Sequence, residues 1–419
     1  MRALLTKSFF DYFSSHAQTS PSKIFVTDGS KSLSFFEAMK KIQSLTPLGS
    51  GLRMPSLTND VDSVLNWLAW QKTNETEPQD WFDELRTSGS TGEPKLFRVS
   101  LPSQVVTSLS INSTILDGIS FDELIFLPLS HSSGKGRLRA AIVRGASIFL
   151  GTNPLRLTSL KPAMRSPRPI AAAVTPSTYF YLQEVAKGEF WKLFRGLKNL
   201  EFGSAPIGMS ALEGLRKDSP PDVKLCMHFG LTEASRSFIR DLRVGPHNEV
   251  GDAFPHVSFR LDNNGELFLK GPHIASEWNE KLNEPINPKD EVATGDLLRF
   301  EGDTLLLLGR KGIVINFGGY KLHPEHLEEF LKVRLGLDVV CVVGISDRIL
   351  GQRVAVFILE GQEVLGVKVV RDYIQLSGNH FVPLMYGITE LPLIGQGKPD
   401  RLWLRTLAES RFSSTKQGI

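Results

Sequence analysis

The sequence predicts an α/β protein with a large N-terminal domain and a small C-terminal α+β domain. Between residues 122 and 233, short apolar runs alternate with helical stretches, which is the pattern of parallel strands joined by helices. From about residue 250 two hairpins follow, with turns at Asn264-Gly265 and Gly302-Asp303. The large domain is therefore expected to combine parallel sheet with a β-rich subdomain.

The predicted elements follow from local periodicity and turn residues. Before residue 85, "SLSFFEAMKKIQSL" and "DVDSVLNWLAWQK" have helical spacing and predict surface helices. Pro324 marks the start of a later helix, and the final segment "ESRFSSTKQGI" is expected to be disordered. The strands are predicted in "DELIFLPL", "AAIVRGASIFLG", "PIAAAVTPS", "LKNLEFGSAP", "VKLCMHFGLTE", "VVCVVGI" and "RVAVFILE".

Composition excludes several classes of protein. The chain has 419 residues, of which 41% are hydrophobic and 22% charged, as in an ordinary globular protein. The net charge of +3 is spread along the chain, which argues against a nucleic-acid partner. The two cysteines, Cys226 and Cys341, predict no disulfide framework. Neither a signal peptide nor a membrane span is predicted, so a cytoplasmic location is expected.

The segment "TSGSTGEPK", residues 87 to 95, has the composition of a phosphate-binding loop. Its glycines allow backbone N–H groups to turn toward an anion, its hydroxyls can donate hydrogen bonds, and its lysine adds a charge. The spacing differs from that of the P-loop NTPases. A flexible surface loop is the alternative interpretation. The candidate residues are Thr87, Ser88, Gly89, Ser90, Thr91, Gly92 and Lys95.

Taken with six further segments in the same order, this loop resembles the adenylate-forming acyl/aryl-CoA synthetases, the superfamily of luciferases and nonribosomal adenylation domains. These segments are "PLSHSSG", "GSAP", "FGLTE", "TGD", "GRKGIVINFGGYKLHPEHLEE" and "GQGKPDR". The resemblance spans residues 87 to 401. It implies that a small-molecule carboxylic acid attacks the α-phosphate of ATP and releases pyrophosphate, after which a thiol displaces AMP. ATP, Mg²⁺ and coenzyme A are the implied ligands.

The resemblance also implies roles for individual residues. Glu233 would bind Mg²⁺, Thr232 would donate to the α-phosphate, and Phe229, followed by Gly230, would stack on adenine. Asp296 would accept from both ribose hydroxyls, and Arg310 would support the ribose and phosphate. The backbone beside adenine would be formed by Gly203, Ser204, Ala205 and Pro206.

The resemblance implies roles for two further residues, and each of them also has a simpler interpretation. Lys398 resembles the lysine that stabilises negative charge between the attacking carboxylate and the α-phosphate; the alternative is an exposed lysine near the chain end. His131 resembles a histidine that gates the acid pocket, although a structural hydrogen bond is the ordinary role for a lone histidine. His323 and His326 have a metal-ligand spacing, but we interpret them as a solvated helix start.

The resemblance implies a division into residues 1–309, a hinge at 310–312 and a mobile lid domain at 313–419 that carries Lys398. The lid would rotate about Gly312 and bring Gly318 and Gly319 to the thioester tunnel. Only 86 residues precede the phosphate loop, fewer than is general in the family, so part of the first subdomain is expected to be missing or reduced.

Three cations after His131 suggest a substrate with a second carboxylate. Lys135, Arg137 and Arg139 would border the acid pocket, where an unpaired charge is costly. Exposure to solvent is the alternative. The short length and this segment are similar to the o-succinylbenzoate-CoA ligases of menaquinone synthesis, which act on an aromatic dicarboxylate.

Three functions therefore remain open at this stage. The first is a CoA ligase for an aryl dicarboxylate. The second is an acyl-AMP ligase that loads an acyl carrier protein, and the third is an inactive nucleotide-binding relative.

Overall fold

The computed structural model describes residues 7–46, 51–87, 95–151, 160–203, 207–279, 284–285, 291–311, 313–317, 320–347, 351–375, 383–394 and 398–416. The mixed α/β class is confirmed, with a largely parallel sheet and additional sheets. The helices are α1 Phe9–Thr19, α2 Phe35–Ser44, α3 Val61–Thr73, α4 Leu101–Ser110, α5 Ser132–Val143, α6 Lys161–Met164, α7 Pro176–Val185, α8 Phe190–Leu193, α9 Met209–Asp218, α10 Pro324–Leu335, α11 Glu363–Gln375 and α12 Arg401–Lys416.

The strands are numbered in chain order. They are β1 Ile24–Thr27, β2 Ser32–Ser34, β3 Phe82–Thr87, β4 Lys95–Ser100, β5 Asp122–Ile125, β6 Ile148–Leu150, β7 Ile170–Val174, β8 Leu197–Phe202, β9 Lys224–Leu231, β10 Ser235–Asp241, β11 Asp252–Ala253, β12 Ser258–Leu261, β13 Glu266–Lys270, β14 Ser276–Asn279, β15 Glu284–Pro285, β16 Glu291–Glu301, β17 Thr304–Arg310, β18 Ile315–Phe317, β19 Tyr320–Leu322, β20 Val340–Asp347, β21 Gly351–Leu359, β22 Leu384–Ile388, β23 Leu393–Ile394 and β24 Lys398–Pro399.

The chain divides into two units. The large unit comprises Met1–Ile207, Gly214–Arg260 and Phe268–Ala293, and the small unit comprises Gly208–Glu213, Leu261–Leu267 and Thr294–Ile419. The predicted hinge at 310–312 stays a prediction, and Gly312 lies outside the described residues.

A nine-stranded sheet organises the large unit, in the order β11-β10-β9-β8-β7-β5-β6-β1-β2. The strands from β9 to β1 are parallel, as the alternation of apolar runs and helices predicts. A second sheet, in the order β15-β14-β4-β3, is antiparallel. Since the carboxyl ends of parallel strands meet at one edge, residues after β8 and β9 are brought together there.

The N-terminal helices form a buried aromatic layer in the large unit. Phe9 and Phe13 of α1 pack with Phe25 and Phe35, and all four side chains are fully buried. Helix α3 belongs to the same core, with eight buried residues. Its prediction as a surface helix is therefore wrong, because its apolar residues cover most of the helix circumference rather than one stripe.

The small unit contains a sheet in the order β19-β18-β21-β20, with β22 paired to β21. Alternate residues of β20 and β21 face α10 and α11 on one side and α12 on the other. Helix α10 begins at Pro324 and is capped at its C-terminus by Gly336, whose φ of 65° is left-handed.

A further sheet has the order β12-β13-β16-β17, and Gly265 and Gly302 have the positive φ that the predicted hairpin turns require.

Helix α12 continues to Lys416, so the prediction of a disordered tail is wrong up to that residue. Leu404, Ala408 and Phe412 recur every fourth residue and pack against the sheet. No helix in the described part of the chain has the length and apolar character that a bilayer span requires.

Candidate functional site

The predicted phosphate loop joins two strands whose ends are paired. Strands β3 and β4 are antiparallel, and Thr87 lies opposite Lys95. The backbone therefore enters and leaves the loop at one place. The loop residues Ser88, Gly89, Ser90, Thr91 and Gly92 lie outside the described residues, so their role stays a prediction.

Gly203 follows β8 at the carboxyl edge of the sheet, where its N–H donates to the Val174 carbonyl at 3.2 Å. A Cβ at this position would lie 1.9 Å from Cε1 of His228. Only glycine fits against that ring. The neighbouring predicted residues Ser204, Ala205 and Pro206 lie outside the described residues.

The segment from Phe229 to Glu233 ends β9 and forms a tight turn into β10. Gly230 is required there, because a Cβ would lie 1.9 Å from the Ser235 carbonyl oxygen. Phe229 is half-buried, with its ring in an edge-on contact with another ring of the sheet. The structure thus brings Gly203 and the Phe229–Glu233 turn to neighbouring strand ends.

Glu233 is held through its backbone, since its carbonyl oxygen accepts from the Ala275 N–H at 2.8 Å. Its half-buried carboxylate has no ion-pair partner within the described ranges. Those ranges also contain no group of three or more acidic, histidine or cysteine residues that could hold a metal. A single carboxylate fits Mg²⁺, which commonly takes one or two carboxylates and completes its shell with phosphate oxygens and water.

A buried charged network lies behind this edge of the sheet. Glu201 accepts from Arg236 Nε at 2.6 Å and from Arg137 Nη1 at 3.0 Å, and His228 Nδ1 lies 2.5 Å away. Burial opposes the ionised form of Glu201, yet Arg236 and His228 lower its pKa. Burial and the charge of Arg236 lower the pKa of His228, whose ring lies beside Gly203.

His131 directly precedes α5 and is exposed. Its side chain makes no capping hydrogen bond to the helix. The predicted gating role stays a prediction.

The three cations of α5 are paired with carboxylates of the protein itself. Lys135 Nζ contacts both oxygens of Asp83 at 2.7 Å, and Arg139 Nη2 contacts Asp83 Oδ2 at 2.7 Å. Arg137 donates to Glu123 at 2.7 and 2.9 Å. All three are at most 5% exposed.

These pairings correct the reasoning from the sequence. Lys135, Arg137 and Arg139 lie on a helix as expected, but they neither face solvent nor lack internal partners. Burial lowers the pKa of Lys135 and of Arg139, and in both cases Asp83 opposes the shift. Because internal carboxylates account for their charges, they give no reason to expect a second carboxylate on the substrate.

Asp296 and Arg310 face each other in the β16–β17 hairpin of the small unit. Arg310 Nε donates to Asp296 Oδ1 at 2.8 Å, while Asp296 Oδ2 is buried without a hydrogen-bond partner among the described residues. Burial raises the pKa of Asp296, and Arg310 opposes that rise. A buried acceptor without a partner can accept a hydrogen bond from a hydroxyl group of a ligand.

Lys398 lies in the short hairpin of β23 and β24, opposite Ile394, and is exposed. Burial raises the pKa of Asp296, and the charge of Lys398 opposes that rise together with Arg310, so Lys398 acts electrostatically on Asp296 within the small unit. The remaining lid residues Gly318 and Gly319 lie outside the described residues, and their role at a thioester tunnel stays a prediction.

The start of α10 is less solvated than expected. His323, Glu325 and His326 are half-buried, and burial raises the pKa of Glu325 to about 7. Glu325 Oε2 has no hydrogen-bond partner among the described residues, and a Cβ on Gly309 would lie 2.9 Å from it. Gly309 has a φ of 134°, so this approach requires glycine.

A cavity of about 480 Å³ lies near the other edge of the nine-stranded sheet, against β1, β6 and α6. Its lining includes Lys23, Asp122, Arg165 and Arg168. None of the predicted site residues lines it. It is therefore separate from the strand ends described above.

Residues 57–278 match the sequence model of the family described as AMP-binding enzyme. The chain belongs to the AMP-binding enzyme family. This match includes the phosphate loop, His131, Gly203 and Glu233. The AMP-binding enzyme is similar to 2-succinylbenzoate–CoA ligase of Listeria innocua, with 24% identity over 368 residues, which cover 83% of this chain and 76% of the relative.

It is also similar to VraA of Staphylococcus haemolyticus, whose name places it among long chain fatty acid-CoA ligases. The identity is 25% over 333 residues, covering 77% of this chain and 69% of VraA. Among solved structures, o-succinylbenzoate CoA synthetase (MenE) from Bacillus subtilis, in complex with its acyl-adenylate, matches with a TM-score of 0.75 at 16% identity. That match covers 94% of this chain and 97% of MenE, and at this identity it shows the fold.

Sequence reasoning missed the buried partners of the AMP-binding enzyme's cations. Asp83, Glu123 and Glu201 are at most 4% exposed. One signal was available, because Glu123 and Glu201 interrupt apolar runs that form parallel strands. A charge within such a strand indicates a buried pair.

Proposed function

We propose that this AMP-binding enzyme activates a carboxylic acid with ATP and transfers the acyl group to the thiol of coenzyme A. In the first step a carboxylate oxygen bonds to the α-phosphorus, and the bond to the β-phosphate oxygen breaks to release pyrophosphate. In the second step the thiol sulfur bonds to the acyl carbon, AMP leaves, and the thiol proton goes to solvent.

The observation that best supports this proposal is the unpartnered oxygen of Asp296. Its other oxygen is held by Arg310 at 2.8 Å, which fixes the carboxylate. The buried Oδ2 has no hydrogen-bond partner among the described residues, and its burial is costly unless a ligand donates to it. A ribose hydroxyl supplies that donor, as the family resemblance implies.

The remaining roles follow from chemistry at the other residues. Gly203 allows the His228 ring to lie against the backbone at the strand end, and half-buried Phe229 offers an aromatic face for adenine. Thr232 would donate to the α-phosphate. Lys398 is exposed and would neutralise charge that develops between the carboxylate and the phosphate. Glu233 would hold Mg²⁺, which supplies charge neutralisation on the phosphates when bound.

We propose an aryl dicarboxylate, 2-succinylbenzoate, as the first acid to test, with menaquinone biosynthesis as the corresponding pathway. Support comes from relatives of that name in Listeria innocua and Escherichia coli, at 24% and 26% identity. The internally paired cations of α5 do not contribute to this choice. A fatty acid is the competing substrate class, since VraA carries that name.

The test is pyrophosphate release by the purified protein with ATP, Mg²⁺ and a panel of acids, followed by analysis for thioesters. The panel includes 2-succinylbenzoate, benzoate, 4-coumarate and fatty acids of several lengths. Pyrophosphate release together with an acyl-CoA supports the proposal. Acyl-adenylate that reacts with a phosphopantetheinylated carrier protein and not with CoA would identify the alternative acyl-AMP ligase.

Lys398→Ala is the matched variant for this test. We expect it to lose adenylation and to retain AMP binding, because the lysine acts on the transition state rather than on the nucleotide. Full adenylation by Lys398→Ala contradicts the mechanism. If the wild-type protein binds AMP and activates no acid, it is the inactive nucleotide-binding relative.

A further inference from the structure

The chain segment that carries Lys398 is fixed by a two-point ion pair three residues further on. Arg401 Nη1 and Nη2 donate to the two carboxylate oxygens of Glu328 at 2.6 and 2.8 Å. Glu328 is 8% exposed. The planar guanidinium and carboxylate groups meet along two parallel hydrogen bonds, so this contact fixes orientation as well as distance.

Both side chains are also bonded to the backbone of β20. The Val342 N–H donates to Glu328 Oε1 at 2.6 Å, and Arg401 Nη1 donates to the Val342 carbonyl at 2.7 Å. Glu328 lies in α10, and Arg401 is the first residue of α12. The cluster therefore joins a helix, a central strand and the start of the last helix at one point.

The connection from this cluster to Lys398 is short and constrained. Only Pro399 and Asp400 intervene, which limits the separation to about 3.6 Å per residue. Asp400 N–H donates to the Pro392 carbonyl at 2.8 Å, and its carboxylate accepts from Trp403 N–H at 2.9 Å. Displacement of Arg401 is thus transmitted to the backbone of Lys398.

Stability alone does not account for this partly buried ion pair, in which the Glu328 and Arg401 side chains are 11% and 23% exposed. Removing two charges from water costs free energy that their attraction repays only in good geometry, and apolar replacements are often as stable. Here burial opposes the charge of Arg401, and its contacts with Glu328 nevertheless raise the pKa of the guanidinium. Two charges held in fixed positions next to the hairpin of Lys398 are what would be needed to hold that hairpin in a defined position.

We propose that Glu328 and Arg401 are positioning residues that set the place of Lys398 for adenylation. The proposal rests on the proposed function, in which Lys398 acts on the first half-reaction. Thioester formation does not use that lysine. Loss of the pair should therefore affect the first half-reaction selectively.

The experiment compares Glu328→Gln and Arg401→Lys with wild type in each half-reaction. The first is measured as pyrophosphate release with the acid that the wild-type protein turns over. The second is measured as thioester formation from the synthetic acyl-adenylate and CoA. We expect kcat for adenylation to fall about 10- to 100-fold with KM for ATP within threefold, since small misplacement of a reacting group has effects of this size.

Glu409→Gln is the matched control. Glu409 pairs with Arg405 at 3.3 Å on the same helix, and both side chains are more than 40% exposed. We expect this variant to keep both half-reactions within twofold of wild type. Arg401→Lys retains the charge and loses the two-point contact, so a fall of about 10- to 100-fold in its kcat for adenylation supports positioning rather than charge alone.

Hydrogen exchange gives a readout that does not depend on the acid. Amides of Leu393, Ile394, Lys398 and Asp400 should exchange faster in Glu328→Gln than in Glu409→Gln, while amides of β20 and β21 stay protected. Unchanged exchange there overturns the proposal, as does an equal fall in both half-reactions. If wild type activates no acid, the proposed function fails instead, and the exchange measurement still decides whether the pair holds the segment.

Discussion

Arg310 Nε holds one oxygen of Asp296 at 2.8 Å, and the second oxygen of that carboxylate is buried with no hydrogen-bond partner in the described part of the chain. The two residues lie opposite each other in an antiparallel pair. Their register depends on the hairpin turn at Gly302 and on a β-bulge next to the pair, where the register shifts between Leu297 and Leu298.

Asp296→Asn should weaken AMP binding by roughly 10- to 100-fold, because a hydrogen bond to a charged acceptor contributes about 1.5–3 kcal/mol. The amide retains the shape of the side chain and loses its charge. Isothermal titration calorimetry with AMP measures the change. Asp303→Asn is the control, since Asp303 is exposed in the turn of the same hairpin. Equal affinities for wild type and Asp296→Asn contradict a ribose site at this carboxylate.

Gly203→Ala should abolish nucleotide binding or reduce it by at least tenfold. The added Cβ would lie 1.9 Å from Cε1 of His228, so the strand end or the ring must move. Because the clash is with one side chain, Gly203→Ala combined with His228→Ala should recover part of the affinity.

The recovery is measured as AMP affinity in the two single variants and the double variant. A double variant that binds no better than Gly203→Ala would show that the methyl group acts on the ligand rather than on the histidine. The His228→Ala variant alone controls for the lost contact with Glu201.

Local patterns explain why so much of the fold could be predicted from the sequence. Each of the strands β5 to β9, and each of the turns at Gly265 and Gly302, has a sequence signal that is contained within about ten consecutive residues. Gly203 and Glu233 follow two neighbouring parallel strands, so their place at one edge of the sheet also follows from local patterns.

The partners of the α5 cations could not be predicted in this way. Lys135 meets Asp83 from 52 positions away, and Arg137 meets Glu201 from 64 positions away. No periodicity relates such positions, and an unpaired charge and a distantly paired one look alike in the sequence. Helix α12 differs, because its four-residue repeat of Leu404, Ala408 and Phe412 is local and was obscured by the polar residues between.

Arg137→Met should lower the free energy of unfolding by about 3–5 kcal/mol, because it leaves Glu123 and Glu201 buried without this cation. Urea denaturation at neutral pH measures the effect. Lys192→Met is the control, with an expected change below about 1 kcal/mol, since the Lys192–Glu189 pair is exposed. Similar losses in the two variants would show that the network does not depend on Arg137.

Glu325 should make the protein less stable as the pH rises. Burial raises its pKa to about 7 in the folded state from an ordinary value of 4.5. Arg401 and Arg310 oppose this shift, and Glu328 favours it. Between these two pKa values the folded protein binds more protons than the unfolded chain, so unfolding becomes easier with increasing pH.

The contribution of Glu325 to stability is therefore intact below pH 4.5 and is lost as the pH rises to about 7. Glu325→Gln removes this titration, so the free energy of unfolding of the wild-type protein relative to the variant should fall by up to about 3 kcal/mol from pH 4.5 to 8. Urea denaturation of both proteins at each pH measures the difference, and groups common to both cancel. A difference that is constant with pH, or that grows in favour of wild type, would mean that Glu325 is ionised in the folded protein across this range.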